Sequence, residues 1–219
     1  MKGLTRALAL LLMLSLCFSL SSCDREYDEA EVLSAASELI EKSYKLNELF
    51  YGKGLEYTDE GLGIYRLASK ESLAEYGIST IEDMKNMARE IFSDSYCDVI
   101  FKSDIFTSVK VDDVIKSYTR YYQNYDEEGN PDGIMVRTNY DYALTCEYVY
   151  HDSMEVVDVV KDVIVVRALV NAKSEDGSEA NLNIDLSMIE ESDGWRFNTA
   201  TYVIYNGYSD IYDDLINNK

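Results

Sequence analysis

The sequence predicts an α+β domain in which N-terminal helices pack on one face of a curved antiparallel sheet of about five to six strands. Three observations carry this. Between Glu29 and Phe50, and again between Ile81 and Phe92, apolar residues recur at helical spacing. From Val114 onward the chain becomes rich in Val, Ile, Thr and Tyr, in segments parted by Gly-, Asn- and Asp-bearing turns. In one of those segments Leu182, Ile184, Leu186 and Met188 alternate with Asn183, Asp185 and Ser187, which makes one face apolar and the other wet. Helices first and strands afterwards is the α+β order.

The first helix buries Val32, Leu33, Ala36, Leu39, Ile40, Tyr44, Leu49 and Phe50, with Glu and Lys on the opposite face, and Gly52 and Gly54 end it. Ile64-Tyr65-Arg66-Leu67, set among Gly61, Gly63 and Gly77, reads as a short strand. A second helix opens at Ser79, with Glu82 three residues later in capping-box spacing, and its buried stripe is Ile81, Met84, Met87, Ala88, Ile91 and Phe92. Ser93-Asp94-Ser95 breaks it, and residues 96–101 add a further helical turn or two. Strands are expected over 114–125, 134–150, 156–170, 180–189 and 195–204, with turns at 126–133, 175–177 and 193–194. Pro131, the single proline, lies in a turn and leaves the strands uninterrupted. Residues 209–217 add a short helix or fray.

The leader carries Lys2 and Arg6 ahead of an apolar run over 7–14, a secretory signal too short and wrongly flanked for a membrane span. Leu20-Ser21-Ser22-Cys23 resembles the bacterial lipobox, which implies diacylglyceryl attachment at Cys23 and a mature chain held outside the cytoplasmic membrane by its lipid. Asp24 resembles an inner-membrane retention signal in a double-membrane cell and carries no message in a single-membrane one. The expected organisation is a signal peptide over 1–22, a lipidated tether over 23–29 and one domain over 30–219.

Charge narrows the partners. The chain has 20 Lys and Arg against 41 Asp and Glu, and losing Lys2 and Arg6 with the leader takes the net charge from −21 to −23. Nucleic acid and anionic lipid would both be repelled, whereas a basic partner, a cation-rich wall or simple solubility accounts for the charge. Aromatic residues make up 12%, which excludes a disordered acidic tail. Of the four cysteines, Cys17 leaves with the leader and Cys23 takes the lipid. Cys97 and Cys146 remain, either as a disulfide permitted by the compartment or as two buried thiols.

No catalytic constellation emerges, and neither a cofactor nor a metal is called for. His151, the single histidine, stands beside Asp152, but no nucleophile-elbow pattern surrounds any Ser. The Gly-x-Gly pairs at 52/54 and 61/63 do not lead from a strand into a helix. Asp126, Glu128, Asn130 and Asp132 alternate like the start of a calcium loop, yet Pro131 occupies the glycine position and no closing Glu follows. A polar hairpin turn accounts for them better. Tyr118, Tyr121, Tyr122, Tyr125, Tyr140, Tyr142, Tyr148 and Tyr150 suit either a half-buried sheet or a binding surface ringed by acids.

Two stretches resemble the bacterial family of secreted inhibitors of peptidoglycan DL-endopeptidases. One runs from Ile64–Leu67 through Ser79-Thr80 and the following helix to Phe101; the other is Asp193-Gly194-Trp195-Arg196-Phe197-Asn198-Thr199-Ala200-Thr201-Tyr202. The Gly-Trp strand is also similar to nuclear-transport-factor-2-like and cystatin-like domains, where a helix lies on a curved sheet that often wraps a ligand pocket. The first resemblance implies a non-enzymatic binder that occludes a cell-wall hydrolase, here tethered where the family's plain signal would leave it diffusible. From its charge, the turn with Asp126, Glu127, Glu128 and Asp132 is the candidate contact, with a basic hydrolase or a wall glycan as partner. The second implies a pocketed small-ligand binder.

Overall fold

The computed structural model describes residues 27–111 and 114–207; the leader, Cys23 and the 209–217 segment lie outside the described residues. Among the described residues the architecture is α+β: four helices, two four-stranded antiparallel sheets and a two-stranded ribbon. Helix α1, Glu29–Tyr51, starts where the side chain of Asp28 accepts the amides of Ala30 and Glu31, and Gly52 caps its end. It begins at Glu29, where the helical spacing places its start. Its apolar stripe fills the core with Val32, Ala36, Leu39, Ile40, Leu46, Leu49 and Phe50, as the spacing requires.

Strands β1 (Tyr57–Leu62) and β2 (Tyr65–Ala68) form a hairpin, followed by helix α2 (Lys70–Tyr76). Neither β1 nor α2 is expected from the sequence. β1 is exposed along its whole length and so has no apolar alternation, and α2 is too short for a periodic stripe. Helix α3, Ile81–Arg89, is capped one residue later than its sequence suggests. Thr80 receives the Asp83 amide, while the Asp83 carboxylate receives the amides of Ser79 and Thr80. Glu82 turns outward to pair with Arg89. Helix α4, Asp94–Lys102, follows with Ser93 as N-cap.

The strands sort into two sheets, where one sheet of five to six was expected. Strands β5 (Tyr121–Tyr125) and β6 (Pro131–Arg137) join the early hairpin in the order β1-β2-β6-β5. Strands β7 (Cys146–Val160), β8 (Val163–Ser174), β9 (Glu179–Glu191) and β10 (Gly194–Phe197) form a meander in the order β10-β9-β8-β7. The expected strand over 134–150 is therefore two strands parted by the loop 138–145, in which the Leu144 amide is spent on the Tyr51 carbonyl at the end of α1. The expected strand over 156–170 crosses a tight turn at Lys161-Asp162, where Lys161 adopts φ 58 without the Gly or Asn that usually marks such a turn. The last strand stops at Phe197 rather than near 204. Strands β3 (Val109–Val111) and β4 (Val114–Ser117) pair as the ribbon.

One continuous core joins these layers. Helix α1 crosses the second sheet against β7 and β10, burying Tyr148, Tyr150, Val166, Ala168, Val170, Leu186 and Met188 beneath it. The alternation read at 182–188 holds: Leu186 and Met188 are buried while Asn183 and Asp185 face solvent. Asn47, buried mid-helix, donates to the Tyr148 hydroxyl and to Thr201 Oγ1, both at 2.9 Å, which fixes the helix to the sheet by polar contacts within an apolar layer.

Candidate functional site

The acidic turn is a built hairpin between β5 and β6. Asp126 accepts the amides of Asn130 (2.8 Å) and Glu128 (2.9 Å) and the Asn130 side chain (3.1 Å), so a short exposed loop holds one conformation. Donation from Asn130 comes first among the causes that hold the Asp126 carboxyl below its usual range, keeping it ionised. At the base, Gln123 ties the hairpin to the body. Its side-chain oxygen accepts the Ile81 amide at the start of α3, and its amide nitrogen donates to Gly133. Asn124 braces the opposite strand through the Asp132 carbonyl. Asp126, Glu127, Glu128 and Asp132 all face solvent, so the structure brings these four residues together on one rigid tip.

The tyrosines divide. Tyr121, Tyr148 and Tyr150 are core residues and Tyr140 is half-buried, while Tyr118, Tyr122, Tyr125 and Tyr142 are exposed. Tyr122 meets Tyr65 edge-on at 4.8 Å, and Tyr125 stands directly before the acidic turn. An apolar, hydrogen-bonding rim therefore flanks the carboxylates, the composition that suits protein contact.

A second feature is a cleft of about 480 Å³ at the end of α1. Glu48 and Lys53 line it from one side, the approach to β7 (Tyr142, Cys146) from another, and Lys173 and Glu175 of the β8–β9 turn from a third. Gly207 passes close to that turn with φ 88, and a Cβ there would press within 2.8 Å of Ser178 Oγ. The turn itself is organised by Asp176, whose carboxyl accepts the hydroxyls of Ser174 and Ser178 and is lowered to about 2 by them.

Arg120 is the residue that sequence reasoning missed. It is only 2% exposed and has no carboxylate partner among the described residues. Instead its guanidinium donates to the Phe50 carbonyl at 2.7 Å and the Gly52 carbonyl at 2.6 Å, while Tyr121 donates to the Leu49 carbonyl at 2.8 Å. Together they satisfy the orphan carbonyls of the α1 C-terminus and oppose its partial negative charge. Tyr140 covers Arg120 at 4.5 Å and Arg137 at 4.7 Å. Gly54, with φ 75, lies so close to Arg120 and Tyr121 that a side chain would collide with both. The only sequence signal is the Gly-x-Gly pair at 52/54, read there simply as a helix stop.

Cys97 and Cys146 are free, buried thiols, so of the two alternatives the structure takes the unlinked one. Cys97 donates to the Phe92 carbonyl and Cys146 to the Val203 carbonyl at 3.1 Å, and burial raises both thiols, Cys97 to about 11. His151 and Asp152 are exposed on β7 at a bulge between Tyr150 and Met154. Among the described residues no group of three or more His, Cys, Asp or Glu is placed to hold a metal, and no helix is long and apolar enough to cross a membrane. No family model and no curated protein matches the chain.

Proposed function

We propose that this chain is a membrane-anchored extracytoplasmic lipoprotein, non-enzymatic, that binds and restrains a basic cell-wall hydrolase. The observation that carries the reading is the preorganised β5–β6 hairpin, whose four exposed carboxylates need no further ordering on binding. The net charge of −23 that remains once Lys2 and Arg6 leave with the leader speeds encounter with a cationic enzyme, and the exposed Tyr122 and Tyr125 supply stiff contact area beside the acids. The resemblance of Leu20–Cys23 to a lipobox supports a location where such enzymes act. The finer plan, helices on one face of a curved sheet as in nuclear-transport-factor-2-like and cystatin-like domains, belongs to the same proposal.

The test is a titration of residues 24–219, without lipid, into a peptidoglycan DL-endopeptidase assay. Stoichiometric inhibition that weakens with salt is expected, and the combined variant Asp126→Asn, Glu127→Gln, Glu128→Gln, Asp132→Asn should lose most of it. Equal inhibition by that variant would remove the hairpin as the contact, and no inhibition at all would remove the hydrolase. The cleft beside Lys53 and Lys173 favours a second reading, a small-ligand binder, because its volume falls in the range of ligand sites. A small anionic molecule that raises the melting temperature, with the rise abolished by Lys53→Ala or Lys173→Ala, would favour that reading.

A further inference from the structure

We propose that the tip of the β7–β8 hairpin is the membrane-facing end of the domain and rests on the bilayer that holds its own lipid. This deepens the lipoprotein reading and depends on it. The tip exposes a cluster of valines beside the charged Asp158, Lys161 and Asp162. Val159 is 41% exposed and Val160 53%, with Val157 exposed just before them. Val160 also stands in register with Val163 on β8 and Ile189 on β9, so three aliphatic residues form one row across the sheet at this end.

The chain enters the domain at the same place. Tyr27 lines a small crevice with Val159, Lys161, Asp162, Ile164 and Trp195. Only Asp24, Arg25 and Glu26 separate Tyr27 from Cys23, and the four chain steps between them span at most about 14 Å whatever their path. A lipid on Cys23 therefore keeps this end of the molecule at the membrane surface. So short a tether gives the tip a high effective concentration at the bilayer, and a weak apolar contact then suffices. Lys161, exposed at the turn, can hold its ammonium at the headgroup phosphates while the valines lie deeper. The acidic β5–β6 hairpin belongs to the other sheet and is not part of this contact.

The chain has a single tryptophan, so fluorescence can be read from a chosen site. In a Trp195→Phe background, lipidated protein carrying Val160→Trp is placed on phosphatidylcholine vesicles doped with a headgroup spin label. Val149→Trp serves as its partner variant, because Val149 lies on the same strand at the far end, about 35 Å away. Quenching at position 160 and none at 149 is expected. Quenching at neither position, or at both, overturns the tip as the contact. Amide exchange on the unsubstituted lipidated protein gives an independent measure: residues 157–163 should slow on vesicles while 146–150 should not, and equal slowing, or none, overturns it equally. Mass analysis separates the two proposals. A lipid on Cys23 with an unquenched tip sinks only the tip contact, whereas an unmodified Cys23 sinks the lipoprotein reading and the tip contact with it.

Discussion

Arg120 shows how one side chain can decide the fit between two elements. It lies in a tyrosine-rich segment that reads as a half-buried strand, yet its charge is spent inside, on the carbonyls that end α1. Arg120→Ala leaves two buried carbonyls without donors and a void under Tyr140, and should cost about 3–4 kcal/mol. Arg120→Lys keeps the charge but loses the two-pronged donor, and should cost about 2 kcal/mol. Urea unfolding with an unchanged slope measures both, and a loss below about 1 kcal/mol for the alanine variant would mean that water serves those carbonyls. Cys97 and Cys146 make a second prediction at this scale. In residues 24–219 a thiol reagent should find no reactive group in the folded protein and two in urea without reductant; none in urea would instead mean a disulfide.

At the scale of elements, the start of α3 separates two capping registers that the sequence presents together. Thr80 accepts the N3 amide and Asp83 returns the contact, so Thr80→Ala should destabilise by about 1 kcal/mol and Ser79→Ala by a few tenths. Thermal melts of the two variants decide between them, and equal losses would contradict the Thr80 cap. Donation from the Ser79 amide leads the causes that hold the Asp83 carboxyl below its ordinary value. That contribution is present above the unfolded carboxyl's pKa and is lost as pH falls through the lower folded value. Asp83→Asn should therefore flatten the acid limb of the stability curve. The register was ambiguous because Ser79-Thr80-Ile81-Glu82-Asp83 holds two caps and two acids in sequence. Elements with a sustained local period, α1 and β9 above all, were legible, as was a turn after Tyr125, where Asp126, Gly129 and Asn130 impose the geometry, although Pro131, Asp132 and Gly133, read as part of that turn, open strand β6. The Lys161-Asp162 turn was not, since its left-handed residue is a lysine that register and cross-strand pairing hold in place. Nor was the cleft beside Glu48, Lys53 and Lys173, because it exists only where three remote segments meet.

Across the whole molecule, the tyrosines between α1 and the second sheet tie stability to proton binding. Tyr44 and Tyr148 lie 5.5 Å apart, and Tyr51 stacks on Tyr202 at 4.2 Å, so phenol rings are packed into the edge of the aliphatic layer that joins helix to sheet. Burial raises Tyr51, Tyr148 and Tyr150 well above the ordinary tyrosine range, and Tyr96 and Tyr140 to about 12. A folded-state pKa above the unfolded one means that the native state holds its protons longer. Its contribution is complete below the unfolded value near 10 and drains away as pH climbs through the folded values. Like-charge repulsion among 41 carboxylates acts in the same direction once phenolates begin to form. The protein should therefore unfold cooperatively between pH 10 and about 12, with part of the phenolate absorbance rising in step with the loss of near-ultraviolet dichroism. Added salt should move that midpoint upward by screening the carboxylates, while leaving the cost of a buried phenolate in place. If phenolate absorbance reached its full height before the dichroism changed, these rings would be open to water in the native state. The helix would then be held to the sheet by its aliphatic stripe and Asn47 alone.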